Sequence, residues 1–453
     1  MDPLTFASAA PGDEQTRTVA GRFEAGAPDW AYVSVSVPPG VREIAVTSAY
    51  DRPEPPEGRP GNALDLGAFD EAGFRGWSGG ARDSFTISRT EATPGYLPGP
   101  VTPGVWQVAL GPYTVAPQGM NWTVTVTLRF GEPGPAFVPA HAPTRARGRG
   151  RAWYRGDMHL HSVHSDGAWL PEQVVATARR SGLDYIVSTE HNTSSAAGVW
   201  GHHAREDLLI IDGEEVTTRN GHYTALGLPP GTWIDWRHRA ADGELPRFLR
   251  EIHRHGALAV AAHPFAPFAG GRWKFGYDEV DAIEVWNGPW TPDDETALQM
   301  WDGLLAEGRR WIPAVGDSDS HREGQVIGLP QNVVLADDLE RGAILSAVRA
   351  GRLYVAESSA VSLSFEAAAG PRSAGVGGRL EAGPGEEVTV SVATEGVPAG
   401  VIRLFTDEGQ MFEGPVGTAA WRTTPRVSTY VRAEVRHPDG SMAALTNPIF
   451  LGH

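Results

Sequence analysis

The hydrophobic pattern changes twice along this chain, and these changes constrain the fold more than any other feature. Period-two alternation, as in WAYVSVSV and NWTVTVTLRF, runs through residues 1–140 and returns in residues 357–453, for instance in EEVTVSVAT. Between them, residues 152–356 alternate apolar strands such as DYIVSTEHN with helical stretches such as PEQVVATARRSG. The first pattern predicts a β-sandwich domain at each end. The second predicts an α/β domain built on a parallel sheet or barrel.

A short Gly/Arg-rich segment separates the first two regions. Residues 141–151 contain the alternating sequence RARGRGR, without the aromatic side chains that would stack on a nucleic acid base. This composition favours a solvated linker. The alternative is that the basic cluster from Arg145 to Arg155 attracts an anion.

Composition excludes several classes of function. The formal net charge of −17 opposes binding to a phosphate backbone, so no nucleic acid partner is expected. The chain has no cysteine, which excludes disulfides and thiolate metal sites. It also lacks an apolar run long enough for a membrane span and a basic, apolar leader. We therefore expect a cytoplasmic protein without a membrane partner, and an oligomer is compatible with this sequence.

Histidine and carboxylate residues recur where the predicted strands of residues 152–356 end. In a βα barrel the carboxyl ends of the strands converge on one face, so these side chains would meet in one cleft. His159 and His161 are two positions apart on a strand and therefore point to the same side. The candidates are His159, His161, Asp166, His191, Glu214, Glu215, His222, His263, Asp319 and His321.

Imidazoles combined with carboxylates form a site suited to zinc, manganese or iron. The candidates are too many for one tetrahedral ion, so we expect two or three divalent ions, with carboxylates such as Glu215 and Asp319 bridging them. Such a site suits hydrolysis at phosphorus or at an activated carbonyl. The alternative role for a single strand-end histidine is a structural hydrogen bond. Separately, one glutamate of the pair Glu214 and Glu215 is solvated in the alternative interpretation of that motif.

Five motifs, in order, resemble those of the PHP (polymerase and histidinol phosphatase) superfamily. They are DMHLHSVHSDG, LDYIVSTEHN, GEEVTTRNGHYTALGL, AVAAHP and GDSDSHR, all within residues 152–356. The resemblance implies a distorted (β/α)7 barrel, here flanked by the two β-sandwich domains. The N-terminal β region and the ending ALTNPIFLG are similar to the CehA/McbA-type branch, which includes carbamate ester hydrolases.

Carried over position by position, the resemblance implies nine metal ligands. They are His159, His161, Asp166, His191, Glu215, His222, His263, Asp319 and His321. Asp166, Glu215 and Asp319 would also take part in catalysis. Two positions depart from the usual pattern. Glu190 stands where many relatives have aspartate, and Asp166 stands where some have histidine, which bears on whether a third metal is held.

Five further residues are nominated for supporting roles. Asp157, Glu190 and Glu284 are expected to hydrogen-bond to the ligands, the alternative being outward-facing carboxylates. Arg322 would hold a phosphate oxygen of the substrate or, alternatively, form an ion pair at the barrel rim. His164 would bind the substrate and donate a proton to its leaving group, or else face solvent.

The sequence therefore predicts a metal-dependent phosphoesterase that acts on a small, anionic ester through a metal-bridging hydroxide. A carbamate or aryl ester hydrolase with the same site is the alternative enzyme. The alternative without activity is a degenerate barrel that serves as a binding scaffold.

Overall fold

The computed structural model describes residues 3–55, 57–58, 60–308 and 310–452. These residues form two compact units. The first contains Met1–His141 together with two short segments from further along the chain, His161–Ala168 and Glu190–Val199. The second contains Ala142–Leu160, Trp169–Thr189 and Trp200–His453.

The first unit is built on two antiparallel-rich sheets that share one apolar core. Its described strands are β1 (Leu4–Thr5), β2 (Glu14–Phe23), β3 (Ala31–Val37), β4 (Val41–Tyr50), β5 (Ala63–Asp70), β6 (Gly73–Gly79), β7 (Ser84–Ser88), β8 (Gly104–Thr114) and β9 (Met120–Phe130). The sheet orders are β1-β3-β8-β5-β6 and β2-β9-β4-β7. In β9, Trp122, Val124 and Val126 enter the core while Thr123 and Thr125 point away, as period-two alternation requires.

The α/β part of the second unit is a single sheet with helices between several strands. Its described strands are β10 (Ala152–Asp157), β11 (Tyr185–Ser188), β12 (Leu209–Thr218), β13 (Gly221–Leu226), β14 (Leu258–Ala262), β15 (Ala282–Asn287), β16 (Ala314–Asp317), β17 (Gln331–Ala336) and β18 (Leu353–Ala356). Its helices are α1 (Pro171–Arg180), α2 (Trp200–His203), α3 (Leu245–Arg254), α4 (Pro292–Glu307) and α5 (Arg341–Arg349). The chain is therefore of the mixed α/β class.

The sheet of this part is mixed, whereas the alternation of strands and helices predicted parallel strands. The order is β16-β15-β14-β13-β12-β11-β10-β17-β18, and β13 and β17 run antiparallel to both of their neighbours. Strand β13 runs antiparallel to β12 because only Arg219 and Asn220 separate the two strands, which therefore form a hairpin. Gly221 closes this hairpin with a φ of +112°, and a side chain there would meet the backbone of Trp273.

Strand β16, at one end of this order, is also linked to β17 by a side chain. The Asn332 amide accepts a hydrogen bond from Gly316 N at 3.1 Å and donates to Gly316 O at 2.8 Å. The same amide donates to Asp317 Oδ1 at 2.7 Å. These bonds fix the carboxyl end of β16, from which Asp319 and His321 follow.

The arginines of the predicted linker form ion pairs within the second unit. Their partners are Asp338 for Arg145, Glu206 for Arg147, Asp184 for Arg149 and Asp337 for Arg151. The four arginine side chains are all more than half exposed, so each pair contributes only about 0.2–1 kcal/mol. These carboxylates neutralise positive charge that would otherwise attract an anion to the linker.

The rest of the second unit consists of further strands. They are β19 (Ser362–Ala369), β20 (Arg372–Gly375), β21 (Arg379–Leu380), β22 (Val388–Glu395), β23 (Val401–Thr406), β24 (Gly409–Pro415), β25 (Thr418–Thr423), β26 (Tyr430–Arg436), β27 (Met442–Thr446) and β28 (Ile449–Leu451). One sheet has the order β20-β19-β22-β25, while β27-β26-β23-β24 continues the α/β sheet from β18. Both contribute to one apolar core. Among the described residues, no helix combines the length and hydropathy of a membrane crossing.

A buried arginine joins these strands to helix α4. Arg432 on β26 is fully buried and donates through Nε to Asp302 of α4 at 2.6 Å. Its Nη1 donates to Glu434 at 2.7 Å, and its guanidinium group lies 4.2 Å from the Phe405 ring centroid. Since charged groups are costly to bury unless they are paired, removing one partner leaves the others uncompensated.

Replacing Arg432 with methionine keeps most of the side-chain volume but leaves Glu434 buried without this partner. We expect Arg432→Met to lower the free energy of unfolding by about 3 kcal/mol. Arg403→Met, which removes an exposed pair with Glu413, should cost less than about 1 kcal/mol. Urea unfolding of the three proteins measures both values, and equal losses in the two variants would contradict this account.

Candidate metal centre

Three buried side chains of the second unit bring ligand atoms close together. His159, Glu215 and His263 each offer one such atom, and these atoms all lie within 4.8 Å of one another. The distances are 3.3 Å from His159 Nε2 to Glu215 Oε2 and 3.1 Å from His263 Nε2 to Glu215 Oε1. All three side chains are less than a tenth exposed. We call this group the buried triad.

The sheet explains why these residues meet. Strands β10, β12 and β14 run in the same direction, so the residues at and after their carboxyl ends lie at one edge. His159 follows β10 and His263 follows β14, while Glu215 lies within β12. The hairpin adds His222, which pairs opposite Thr217 and so faces the same side as Glu215. His222 Nδ1 lies 2.8 Å from Glu215 Oε1.

Asp319 brings another carboxylate to the buried His159 ring. Asp319 Oδ1 lies 3.4 Å from His159 Nε2, and the Asp319 backbone N–H donates to His159 O at 2.9 Å. His321 follows two residues later, with its Nδ1 at 2.7 Å from Asp319 O. The predicted ligands of the second unit, His159, Glu215, His222, His263, Asp319 and His321, are thus connected by direct contacts.

Backbone strain is concentrated at these positions. Three described residues other than glycine have a positive φ: Asn192 at 53°, His263 at 26° and Asp319 at 46°. Two of them are candidate ligands, and Asn192 directly follows the candidate His191. A non-glycine residue in this region costs about 1–3 kcal/mol, and such strain clusters at functional sites. The strain therefore supports a chemical role for this edge of the sheet.

Glu284 and Asn287, at β15, orient the ligands. His159 Nδ1 donates to Glu284 Oε1 at 3.0 Å, since a carboxylate can only accept, and this turns Nε2 toward Glu215 and Asp319. Glu284 Oε2 accepts from His263 N at 2.7 Å and from Asn287 Nδ2 at 3.0 Å. Asn287 Nδ2 also donates to Asp319 Oδ2 at 3.2 Å. Glu284 thus contacts two candidate ligands, His159 and His263, and its role in supporting a metal stays a prediction.

The electrostatics of the buried triad favour a cation. Burial alone would lower the pKa of His159, but the carboxylates of Asp319, Glu284 and Glu215 outweigh it and hold the pKa well above its usual value. The buried Nδ1 of His263 also has no hydrogen-bond partner within the described part of the chain. Imidazoles and carboxylates are donors that zinc, manganese and iron accept. The residues present therefore fit a divalent metal ion.

The first unit holds a second group, which we call the loop triad. His161, Asp166 and His191 offer ligand atoms that all lie within 4.8 Å of one another. His191 Nε2 lies 3.4 Å from Asp166 Oδ1, and the rings of His161 and His191 stack with centroids 4.3 Å apart. His161 is buried, whereas the Asp166 side chain is 45% exposed. The donor set again fits a divalent ion.

Glu190 connects the two segments that carry the loop triad. Its carboxylate accepts from the Ser162 backbone N–H at 3.1 Å, from the Ser162 hydroxyl and from Ser165 Oγ at 2.5 Å. Burial raises the pKa of Glu190, and the serine hydrogen bonds oppose this rise. The glutamate thus acts on the backbone around His161 and Asp166.

Asp157 fixes mainly backbone groups. It is fully buried and accepts from Ser318 Oγ at 2.5 Å, from Ser318 N at 3.1 Å and from Gly328 N at 2.8 Å. The His159 backbone N–H also donates to it, at 3.3 Å. Burial raises the pKa of Asp157 to about 6, and these hydrogen bonds oppose the rise. Asp157 therefore supports the turns that carry His159 and Asp319.

Two nominated residues occupy very different environments. His164 is buried, with Nδ1 at 2.9 Å from Ser195 Oγ, so the alternative of a solvent-facing histidine is wrong. Arg322 is exposed, and its backbone N–H donates to Gln325 Oε1 at 3.1 Å. Their predicted roles toward substrate remain predictions.

Two contributors, Asn287 and Asp317, were not foreseen from the sequence. Asn287 contacts Glu284 and Asp319 as described above, although an asparagine followed by glycine suggests only a turn. Asp317 is buried and accepts from Met158 N at 2.6 Å. Glu214 is also buried and accepts from Ile234 N at 2.8 Å, so neither glutamate of the pair is solvated. Burial holds the pKa of Glu214 well above its usual value.

Comparison with known proteins gives distant likenesses. No family model matches the chain. An uncharacterized protein of Methanocaldococcus jannaschii is 23% identical over 153 residues, which cover 29% of this chain and 81% of that protein.

Two solved structures resemble parts of the chain. One is a two-domain protein from Bacteroides vulgatus containing a predicted PHP-like metal-dependent phosphoesterase, with a TM-score of 0.37 and 19% identity; the match covers 69% of this chain and 98% of that one. The other is an amidohydrolase from Chromobacterium violaceum with bound sulfate and no metal, with a TM-score of 0.28 and 19% identity; here the match covers 38% and 89%. At these low scores, the function proposed below rests on the residues of the chain itself.

Replacing Glu284 with glutamine tests whether this carboxylate supports metal binding. Loss of its charge should weaken zinc binding by about 10–100-fold, because His159 loses a carboxylate acceptor for Nδ1–H. Equilibrium dialysis with elemental analysis measures the affinity. Glu340→Gln is the matched control, since Glu340 caps α5 through Ala343 N. Unchanged zinc affinity in Glu284→Gln would count against the assigned role.

Proposed function

We propose that this protein is a metal-dependent hydrolase of small phosphate esters. The observation that carries the proposal is the buried triad, where Glu215, Glu284 and Asp319 all lie within 3.4 Å of the buried His159 ring. Closely spaced buried carboxylates need a cation, and the combination of imidazole and carboxylate donors points to a divalent metal. A scaffold without activity has no need of such a group or of the backbone strain beside it.

We further propose that the ligands named by the five motifs hold two or three divalent ions, as the donor sets of the buried triad and of the loop triad each suit a divalent ion. The five motifs also support membership of the PHP superfamily and its (β/α)7 barrel.

Bound metal ions would activate a water molecule, neutralise charge on the ester and orient it for attack. The residues of the chain prepare the site for this chemistry. Glu284 accepts a hydrogen bond from His159 Nδ1 and so fixes the orientation of the His159 ring. Asn287 holds the Asp319 carboxylate in place. Arg322 is exposed and directly follows His321, the last candidate ligand in the chain. We propose that its guanidinium group binds the phosphate group of an anionic substrate.

One observation favours a second candidate, hydrolysis of a carbamate or aryl ester. Phe268 is 51% exposed, although its ring centroid lies only 5.9 Å from that of His222 and 5.8 Å from that of His263. An exposed aromatic ring beside candidate ligands suits an apolar group on the substrate. This candidate agrees with the resemblance to the CehA/McbA-type branch.

A substrate panel distinguishes the two candidates. The metal-loaded protein is assayed on p-nitrophenyl phosphate, bis-p-nitrophenyl phosphate and a 1-naphthyl carbamate. We expect turnover of the phosphate esters, and a loss of at least about 100-fold in His159→Ala because a metal ligand is removed. His255→Ala, at the exposed end of α3, should keep full activity.

Each outcome of this panel is informative. Turnover of the carbamate alone would contradict the phosphoesterase and favour the second candidate, a carbamate or aryl ester hydrolase. Full activity in both His159→Ala and His161→Ala would contradict a metal mechanism of either kind.

A further inference from the structure

An arginine of the N-terminal β region contacts the loop that carries two candidate ligands. Arg82 lies in the turn between β6 and β7, about eighty residues before that loop. Its Nη1 donates to Ser165 O at 2.7 Å, and its Nη2 donates to Val163 O. All of these residues belong to the first unit. A guanidinium group donates through a fixed planar fork, so two bonds to one loop define the orientation of that loop.

The turn that carries Arg82 is itself held by hydrogen bonds. Ala81 N donates to Ser78 O at 3.1 Å, and Asp83 O accepts from Ser48 N at 2.7 Å and from Ser48 Oγ at 3.2 Å. The guanidinium group is therefore presented from a turn that is hydrogen-bonded to β4 rather than from a loose loop. A rigid support of this kind is what a precisely placed ligand requires.

The loop that receives these bonds is tightly folded. His161 and Asp166 lie on either side of the two carbonyl groups that Arg82 contacts. Ser165 N donates to Ser162 O at 3.1 Å, and Glu190 holds the hydroxyls of both serines. The position of Ser165 O fixes the peptide plane that leads into Asp166. A displacement of this peptide plane would therefore move the Asp166 carboxylate as well.

A second contact from the β region holds the segment that carries His191. Thr193 Oγ1 donates to Gly95 O at 2.8 Å, and Gly95 N donates to Ser195 Oγ at 3.1 Å. Gly95 has a φ of +100°, and a side chain there would lie 2.7 Å from Trp77 O. Both segments of the loop triad are thus bonded to the N-terminal β region.

We propose that Arg82 is a positioning residue for the loop triad and sets its affinity for a divalent metal. The N-terminal β region then forms part of the metal site of the loop triad, within the first unit. This inference rests on the proposed function, because it needs the loop triad to bind metal. Arg82 acts through the backbone of Val163 and Ser165 and contacts neither metal nor substrate.

The test is a zinc titration of the full chain against a chromophoric chelator, with thermal unfolding as a check of folding. In Arg82→Gln, one zinc equivalent should bind about 10–100-fold more weakly, while the remaining zinc binds as in the wild type. Arg52→Gln is the matched control, because Arg52 is an exposed arginine of the first unit whose guanidinium group contacts the Tyr50 ring at the end of β4. It should bind zinc as the wild type does.

Conservative replacement and chemical rescue separate positioning from a general loss of structure. Arg82→Lys keeps the charge but not the fork, so an intermediate loss of zinc affinity is expected. Guanidinium ion at low millimolar concentration should restore part of the affinity of Arg82→Gly. If Arg82→Gln does not fold, the titration of Arg82→Lys decides the matter.

Wild-type zinc affinity at every site in Arg82→Gln, or in Arg82→Lys if only that variant folds, would overturn the inference. Equal weakening of all zinc sites would overturn it too, because it would indicate a general structural role. A wild-type protein that binds no zinc, manganese or iron would instead overturn the proposed function. The failures of the two proposals are thus distinguishable.

Discussion

The buried triad depends on negative charge held close to a buried imidazole. Glu215, Glu284 and Asp319 lie within 3.4 Å of His159, whose side chain is only 1% exposed. Carboxylates in such surroundings repel one another and lose hydration, and a compensating cation offsets both costs. A protonated His159 supplies one positive charge, whereas a divalent metal supplies two and bonds directly to the oxygens. The neighbouring turns and strands thus hold these three carboxylates close to His159.

The supporting structure holds that charge through backbone contacts as much as through side chains. Asp157 binds the turn after β16, Glu284 binds the backbone of His263, and Glu190 binds the loop after His161. The positive φ of His263 and of Asp319 shows that this geometry is maintained against local preference. Such strain persists only where surrounding contacts over-determine it, which agrees with a preorganised metal centre.

The sequence allowed much of this to be predicted because its signals are local. Period-two alternation located β9, and the position of His159 and His263 after apolar strands predicted their convergence. The antiparallel strand β13 was missed, because pattern alone does not reveal strand direction. The sequence left open whether one glutamate of the pair Glu214 and Glu215 is solvated, because the two residues are equally polar. The contact of Arg82 with the loop after β10 left no signal, since the residues are far apart in the chain and only tertiary structure joins them.

The most direct test of the metal centre is anomalous diffraction at the zinc edge from crystals of the zinc-loaded protein. The account predicts anomalous peaks within bonding distance of His159, Glu215 and His263, and of His161, Asp166 and His191. Zinc–ligand distances near 2.0–2.2 Å would identify the bonds. Peaks confined to surface histidines, with none beside these two triads, would contradict the central claim.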